Sequence, residues 1–180
     1  MAKRKSLTRR LLTSTLFVLT LSSGLPGCAS NEPSAVVEKT PQEQETNATR
    51  FVNALFLQET AFLEEAVDLP FFYNQQALLS YPEEWEAVIS RLKAQSQPAE
   101  NFSVLEVKAL SGGDVLALKP NIWAKLLEYE FDQYRYFIYR FRQPLSAEMQ
   151  RRDPQGRRFI EGQMLVIVDP ATAKIRGFIL

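Results

Sequence analysis

Sustained apolar periodicity begins only near residue 47, so any packed core in this chain must come from its last 130 or so residues. What precedes them cannot supply one. Residues 29–46 (ASNEPSAVVEKTPQEQET) are polar, carry Pro33 and Pro41 and show no apolar period, which predicts a flexible tether. At about 5–6 Å × √n, eighteen such residues reach about 25 Å. Before them, Lys3, Arg4, Lys5, Arg9 and Arg10 precede an apolar stretch, Leu11 to Leu21, broken only by Thr13, Ser14, Thr15 and Thr20. Its length suits the apolar centre of a secretory signal and falls short of the roughly 20 residues a spanning helix needs. The whole chain is formally neutral, with 21 basic and 21 acidic residues. The leader holds five of the basic residues and none of the acids, so the remainder is net acidic. The expected division is a signal peptide over 1–27, Cys28 with a tether over 28–46, and one domain over 47–180.

Leu25-Pro26-Gly27-Cys28 resembles the lipobox of bacterial lipoproteins, with Leu at −3, Gly at −1 and the sole cysteine directly after the apolar stretch. Pro26 departs from that pattern, in which Ala or Ser is usual. The resemblance implies that Cys28 is diacylated and becomes the first residue of an exported protein held on a membrane by its N-terminal lipid. Two or three acyl chains suffice for stable anchoring, because each buried methylene contributes about 0.8 kcal/mol. Ala29, standing where Asp would retain the protein, implies outer-membrane delivery facing the periplasm in a Gram-negative cell.

Within the domain, Phe51, Val52, Leu55, Phe56, Phe62, Leu63, Ala66 and Val67 recur at helical spacing and predict a helix over 48–66, capped near Thr46 or Asn47. Asp68-Leu69-Pro70 ends it, and 71–79 reads as an extended piece turned at Asn74-Gln75. Ser80-x-x-Glu83 with Pro82 predicts a second helix with a capping box, closed by Gln97-Pro98. A strand over 102–110, a turn at Gly112-Gly113 and a returning strand over 115–118 follow. Asn121 caps a short helix candidate over 120–129. Residues 134–141, 158–168 and 175–180 read as strands, the second apolar on both faces and so central. Two N-terminal helices packed on a curved antiparallel sheet of four to six strands is an α+β plan.

The order helix, Asp68-Leu69-Pro70-Phe71-Phe72, capped helix and consecutive antiparallel strands ending in the hairpin Met164–Val168 and Ile175–Phe178 resembles the nuclear-transport-factor-2-like (cystatin-like) superfamily. The resemblance covers about 47–180 and implies a sheet wrapped around the long helix into a cone, whose open end often holds a pocket. Members of that superfamily include isomerases, dehydratases and many domains without catalysis, so the fold does not choose the function.

Composition narrows the chemistry. With no histidine and a single cysteine, Ser-His-Asp and Cys-His catalysis, His-ligated metals and an intrachain disulfide are excluded. No cofactor is expected. Glu83, Glu84 and Glu86 suit the positive end of a helix, and Glu64-Glu65 suits a solvated face; neither group is a coordination set. An isomerase-like or dehydratase-like site would need a carboxylate and a tyrosine in one apolar pocket; Asp68, Asp132, Tyr73, Tyr134 and Tyr136 are the available groups, and the three tyrosines are the candidate pocket lining. Seven of the ten arginines after residue 28 fall within 135–158. If 131–143 and 157–169 pair as a hairpin, Arg140, Arg142, Arg151, Arg152, Arg157 and Arg158 gather near its loop and offer a surface to a protein or anionic envelope partner. A net acidic, exported domain argues against nucleic acid. The expectation is a non-catalytic, lipid-anchored envelope protein that binds a protein or a small apolar ligand, with the isomerase-like or dehydratase-like enzyme as the alternative.

Overall fold

The computed structural model describes residues 38–75, 77–95 and 98–180. The apolar leader, Cys28 and most of the expected tether lie outside the described residues. Among those described, no helix is long and apolar enough to cross a membrane.

The first helix starts earlier than its apolar period suggests. Helix α1 spans Pro41–Leu57, and Thr40 is its N-cap. The Thr40 hydroxyl accepts from the Glu43 N–H at 3.2 Å while the Glu43 carboxylate accepts from the Thr40 N–H at 2.9 Å, a reciprocal capping box. Pro41, read as a mark of the tether, is instead the favoured first-turn proline. The last part of the expected tether, 41–46, is therefore helical, and the cap is not at Thr46 or Asn47. This end is tied down: Lys39 N–H donates to the Pro170 carbonyl at 2.8 Å. Buried Gln44 donates through Nε2 to the Lys39 and Pro170 carbonyls at 2.8 and 3.1 Å.

The expected single helix over 48–66 is two. Gln58 adopts a left-handed backbone (φ 60°) that terminates α1, and α2 (Thr60–Ala66) follows after Glu59. The chain then enters β1 (Val67–Tyr73), turns through Asn74 and Gln75, both at positive φ, and returns as β2 (Ala77–Leu79). Helix α3 (Pro82–Gln95) keeps Trp85, Val88 and Ile89 buried, as its periodicity predicts. Its N-terminal carboxylate is Glu84 rather than Glu83, accepting from the N–H groups of Ser80 at 2.7 Å and Tyr81 at 3.0 Å.

After β3 (Ser103–Leu110), the expected turn and return strand are replaced by helix α4 (Gly112–Leu118). Ser111 and Asp114 form a second reciprocal capping box, so the Gly-Gly pair sits in the first helical turn rather than in a hairpin. Helix α5 (Pro120–Glu128) buries Ile122 and Leu126. Strand β4 (Arg135–Pro144) leads through a short helix α6 (Ala147–Arg152) to β5 (Phe159–Val168), and β6 (Ile175–Ile179) follows.

The six strands form one sheet in the order β2-β1-β6-β5-β4-β3. It is mixed rather than purely antiparallel, because β1 lies parallel to β6 while its other neighbours run antiparallel. Among the described residues, six helices and a six-stranded mixed sheet make an α+β domain. The expected plan of two N-terminal helices on an antiparallel sheet of four to six strands is thus met in strand number and corrected in helix count and in strand direction. Both faces of the sheet are covered, which explains why β4 and β5 are apolar on both sides. On one face, Phe137, Tyr139, Phe141, Met164 and Val166 pack against α1, α2 and α3 through Phe51, Leu63 and Trp85. On the other, Tyr136, Leu165 and Ile167 pack against Val115, Ile122 and Leu126 of α4 and α5.

Between the parallel strands, Gly177 lies against the backbone of Phe72. A Cβ on Gly177 would lie 2.6 Å from the Phe72 carbonyl oxygen, a main-chain atom that cannot swing aside. Gly177→Ala is therefore expected to cost about 2 kcal/mol by local overpacking, read as a lower urea midpoint.

Candidate functional site

The arginine-rich hairpin forms as its pattern predicts, with β4 and β5 paired so that Arg142 faces Glu161 and Arg140 faces Gln163. What the charge count does not reveal is how completely the guanidinium groups are paired. Arg142 meets Glu161 at 2.7 Å, Arg140 meets Glu106 of β3 at 3.4 Å, and Arg152 meets Glu148 at 2.6 Å. Arg157 grips Asp153 with Nη2 at 2.9 Å, and its backbone N–H donates to the same carboxylate at 2.5 Å. The pairing holds the Asp153 and Glu161 carboxyls below their usual pKa, through hydrogen bonds from Arg157 and from Arg142. Arg151 donates to the Ala147 carbonyl at 3.2 Å. Arg158 alone of the six makes no side-chain hydrogen bond or ion pair among the described residues. Alternating signs on this surface cancel much of the field that six clustered arginines would otherwise project.

The three candidate pocket tyrosines do not share a pocket. Tyr73 packs on the α1 side of the sheet, edge-on to Phe178 at 5.4 Å. Tyr134 and Tyr136 belong to the opposite face, under α4 and α5. The period-two alternation of a strand separates Phe72 from Tyr73 in the same way that it unites Tyr134 with Tyr136. The Tyr136 hydroxyl is spent on the Phe131 carbonyl, and burial pushes its pKa well up. Tyr139 shares a hydrogen bond with Thr49 at 3.0 Å and is likewise raised by burial.

Asp68, the candidate base, belongs to a network that the sequence reading missed. Arg176 reaches from β6 to Asp68 at 2.9 Å and Asp169 at 3.0 Å. It also donates to the Leu69 carbonyl and lies 5.6 Å from the centre of the Tyr134 ring. Burial opposes ionisation of Asp169, yet N–H groups of Ala171 and Thr172 together with Arg176 outweigh it and hold the carboxyl below its ordinary value. Asp169-Pro170-Ala171-Thr172 is an aspartate-led turn, and that signature was the available clue. Asp132, the other carboxylate considered, is exposed after α5. Among the described residues, no group of three or more acidic or cysteine side chains is placed to hold a metal ion.

An open groove lies elsewhere. Between the first turns of α1 and the adjoining ends of β3 and β4, a groove of about 590 Å³ is lined by Gln42, Glu45, Thr46, Ala109, Arg135 and Phe137, among others. Its floor is apolar sheet, while Glu45 and Arg135 put opposite charges on its rim. The groove is framed by the first turns of α1, which begins at Pro41 and not at the predicted residue 48. The remainder of the α1-facing layer is filled by rings: Phe51 lies 5.9 Å from Phe178 and Phe71 lies 4.7 Å from Trp85. Compared with known proteins, the chain matches no family model and no curated protein.

Proposed function

We propose that this chain is a lipid-anchored envelope protein whose domain is a non-catalytic, nuclear-transport-factor-2-like cone, and that it binds a small amphipathic molecule or a segment of a partner protein in the groove beneath the start of α1. The single observation that carries this reading is the groove itself, an apolar floor with Glu45 and Arg135 on its rim, beside a layer otherwise packed with aromatic rings. Helices and a short hairpin ahead of the run β3 to β6 support the superfamily resemblance, although α4, α5 and α6 interrupt those strands. The lipobox resemblance of Leu25-Pro26-Gly27-Cys28 supports the anchor, and Ala29 supports an outer-membrane position facing the periplasm in a Gram-negative cell. A general-base role for Asp68 is disfavoured because its carboxylate is ion-paired with Arg176, and the paired arginines make an anionic polymer a weaker partner than the groove ligand.

The test is native mass spectrometry of the full chain taken gently in detergent from its own envelope. The expected spectrum carries acyl mass at Cys28 and a further bound mass that Ala109→Trp, which fills the groove, removes while the protein stays folded. An unmodified Cys28 would overturn the anchor. A bound mass indifferent to Ala109→Trp, or a chain that never carries one, would overturn the groove.

A further inference from the structure

The sheet closes at neither end, and its two edges differ. One is β2, three residues long; the other is β3, eight residues, with no strand beyond it among the described residues. Every second N–H and C=O of β3 therefore points outward along an edge of the kind that pairs with another chain unless something blunts it. A bulge at Leu105 partly does so, but from Glu106 to Leu110 the register against β4 is regular.

The charges on this edge are self-complementary about one residue. Glu106 and Lys108 flank Val107 on the sheet face that also carries Arg140, and both are exposed. Lys108 makes no ion pair among the described residues, whereas Glu106 reaches only its neighbour Arg140, at 3.4 Å across solvent. We propose that β3 is a homodimerisation edge: two copies of this chain pair β3 to β3 antiparallel about a two-fold axis at Val107, extending the two sheets into one.

Register selection follows from elementary geometry. Directly opposed residues in an antiparallel pair point to the same face, so a two-fold axis must pass through a residue pair, and successive choices differ by one position. Centring on Val107 sets Glu106 against Lys108 of the second copy and Lys108 against its Glu106, two attractive cross-strand pairs. Centring one residue earlier sets Glu106 against Glu106, and one residue later sets Lys108 against Lys108. Like charges directly opposite are destabilising, so both neighbouring registers are penalised and one is favoured. Valine facing valine at the axis adds an apolar β-branched pair. The symmetry is the closed, self-matching kind that stops at two copies, since the far edge, β2, is only three residues long and uncharged and cannot continue the chain of contacts.

The experiment uses the full chain in density-matched detergent and sedimentation equilibrium over a rising protein concentration. The wild-type protein is expected to dimerise. Glu106→Lys alone and Lys108→Glu alone each replace two attractive pairs with two repulsive ones and are expected to weaken self-association about tenfold or more. Mixing the two variants restores complementarity, with two lysines facing two glutamates, and is expected to recover the dimer as a heterodimer. A monomeric wild-type chain at the highest concentration overturns the proposal. So does a dimer unmoved by either single change, which would place the contact on another surface. A mixture that stays monomeric although both variants retain native circular dichroism overturns the register and with it the edge.

Discussion

Replacing Arg176 with methionine is expected to destabilise the domain by about 3 kcal/mol, roughly 10 °C in Tm for a domain of this size, measured by urea and thermal unfolding. The guanidinium sits with a side-chain exposure of 13% between Asp68 and Asp169, and the Asp169 side chain is itself only 12% exposed. Methionine keeps much of the aliphatic length but leaves a nearly buried carboxylate facing an apolar thioether. The Leu69 carbonyl also loses its donor. Uncompensated burial of one ion is what makes breaking such a group costlier than forming it is beneficial. An acid titration separates this cause from simple packing. The folded pKa of Asp169 is depressed, so its contribution is fully present above the ordinary carboxyl value of 3.8 and is lost as pH falls through the folded value. Below that point the Asp169 proton removes the charge that Arg176 compensates, and the stability gap between the wild-type and Arg176→Met proteins is expected to narrow. A gap that stays as wide throughout the acid limb below 3.8 as it is at pH 7 would assign the loss to packing alone.

Phe51→Ala is expected to cost about 3–5 kcal/mol, read from the same unfolding curves. Phe51 is fully buried on α1, with ring centres 6.5 Å from Phe71 on β1 and 5.9 Å from Phe178 on β6. It is the ring through which the long helix rests on both members of the parallel strand pair. Truncation leaves a void bounded by aromatic faces that cannot collapse without moving the sheet. Phe51→Leu is expected to recover most of the loss, and Leu57→Ala, at the exposed end of the same helix, to lose little. Since domains rarely exceed 5–15 kcal/mol of stability, Phe51→Ala approaches the limit of folding at 37 °C.

Strands β4, β5 and β6 were legible because their apolar runs are long and rich in β-branched and aromatic residues, and the turn at Asn74-Gln75 was legible because short polar residues tolerate left-handed backbone. The errors have a common physical origin. Thr40-Pro41-Gln42-Glu43 and Ser111-Gly112-Gly113-Asp114 are both capping boxes, yet the local composition predicts a tether at one and a hairpin turn at the other. Proline and glycine were weighed as breakers, when the first turn of a helix, short of intrahelical partners for its N–H groups, is where they are tolerated. The site was harder to read for a different reason. Asp169 and Arg176 lie close in sequence, across the turn between β5 and β6, but Asp68 is far from both, and only the parallel placement of β1 beside β6 brings it to them; no local pattern reports a non-local pairing. The arginine cluster was legible as composition, but its neutralisation by Glu106 and Glu161 depends on register, which sequence spacing alone does not supply.

The docking of residue 39 onto Pro170 has a mechanical consequence. Tension applied through the N-terminus of this chain does not first unwind α1, because Lys39 and Gln44 hand the load to the turn between β5 and β6. The pull therefore enters at the middle of the sheet, where β6 is braced on one side by β5 and on the other by β1. Several backbone hydrogen bonds must then shear together rather than open one at a time. A domain held this way takes load at residue 39 as a stiff body instead of fraying at the start of its first helix.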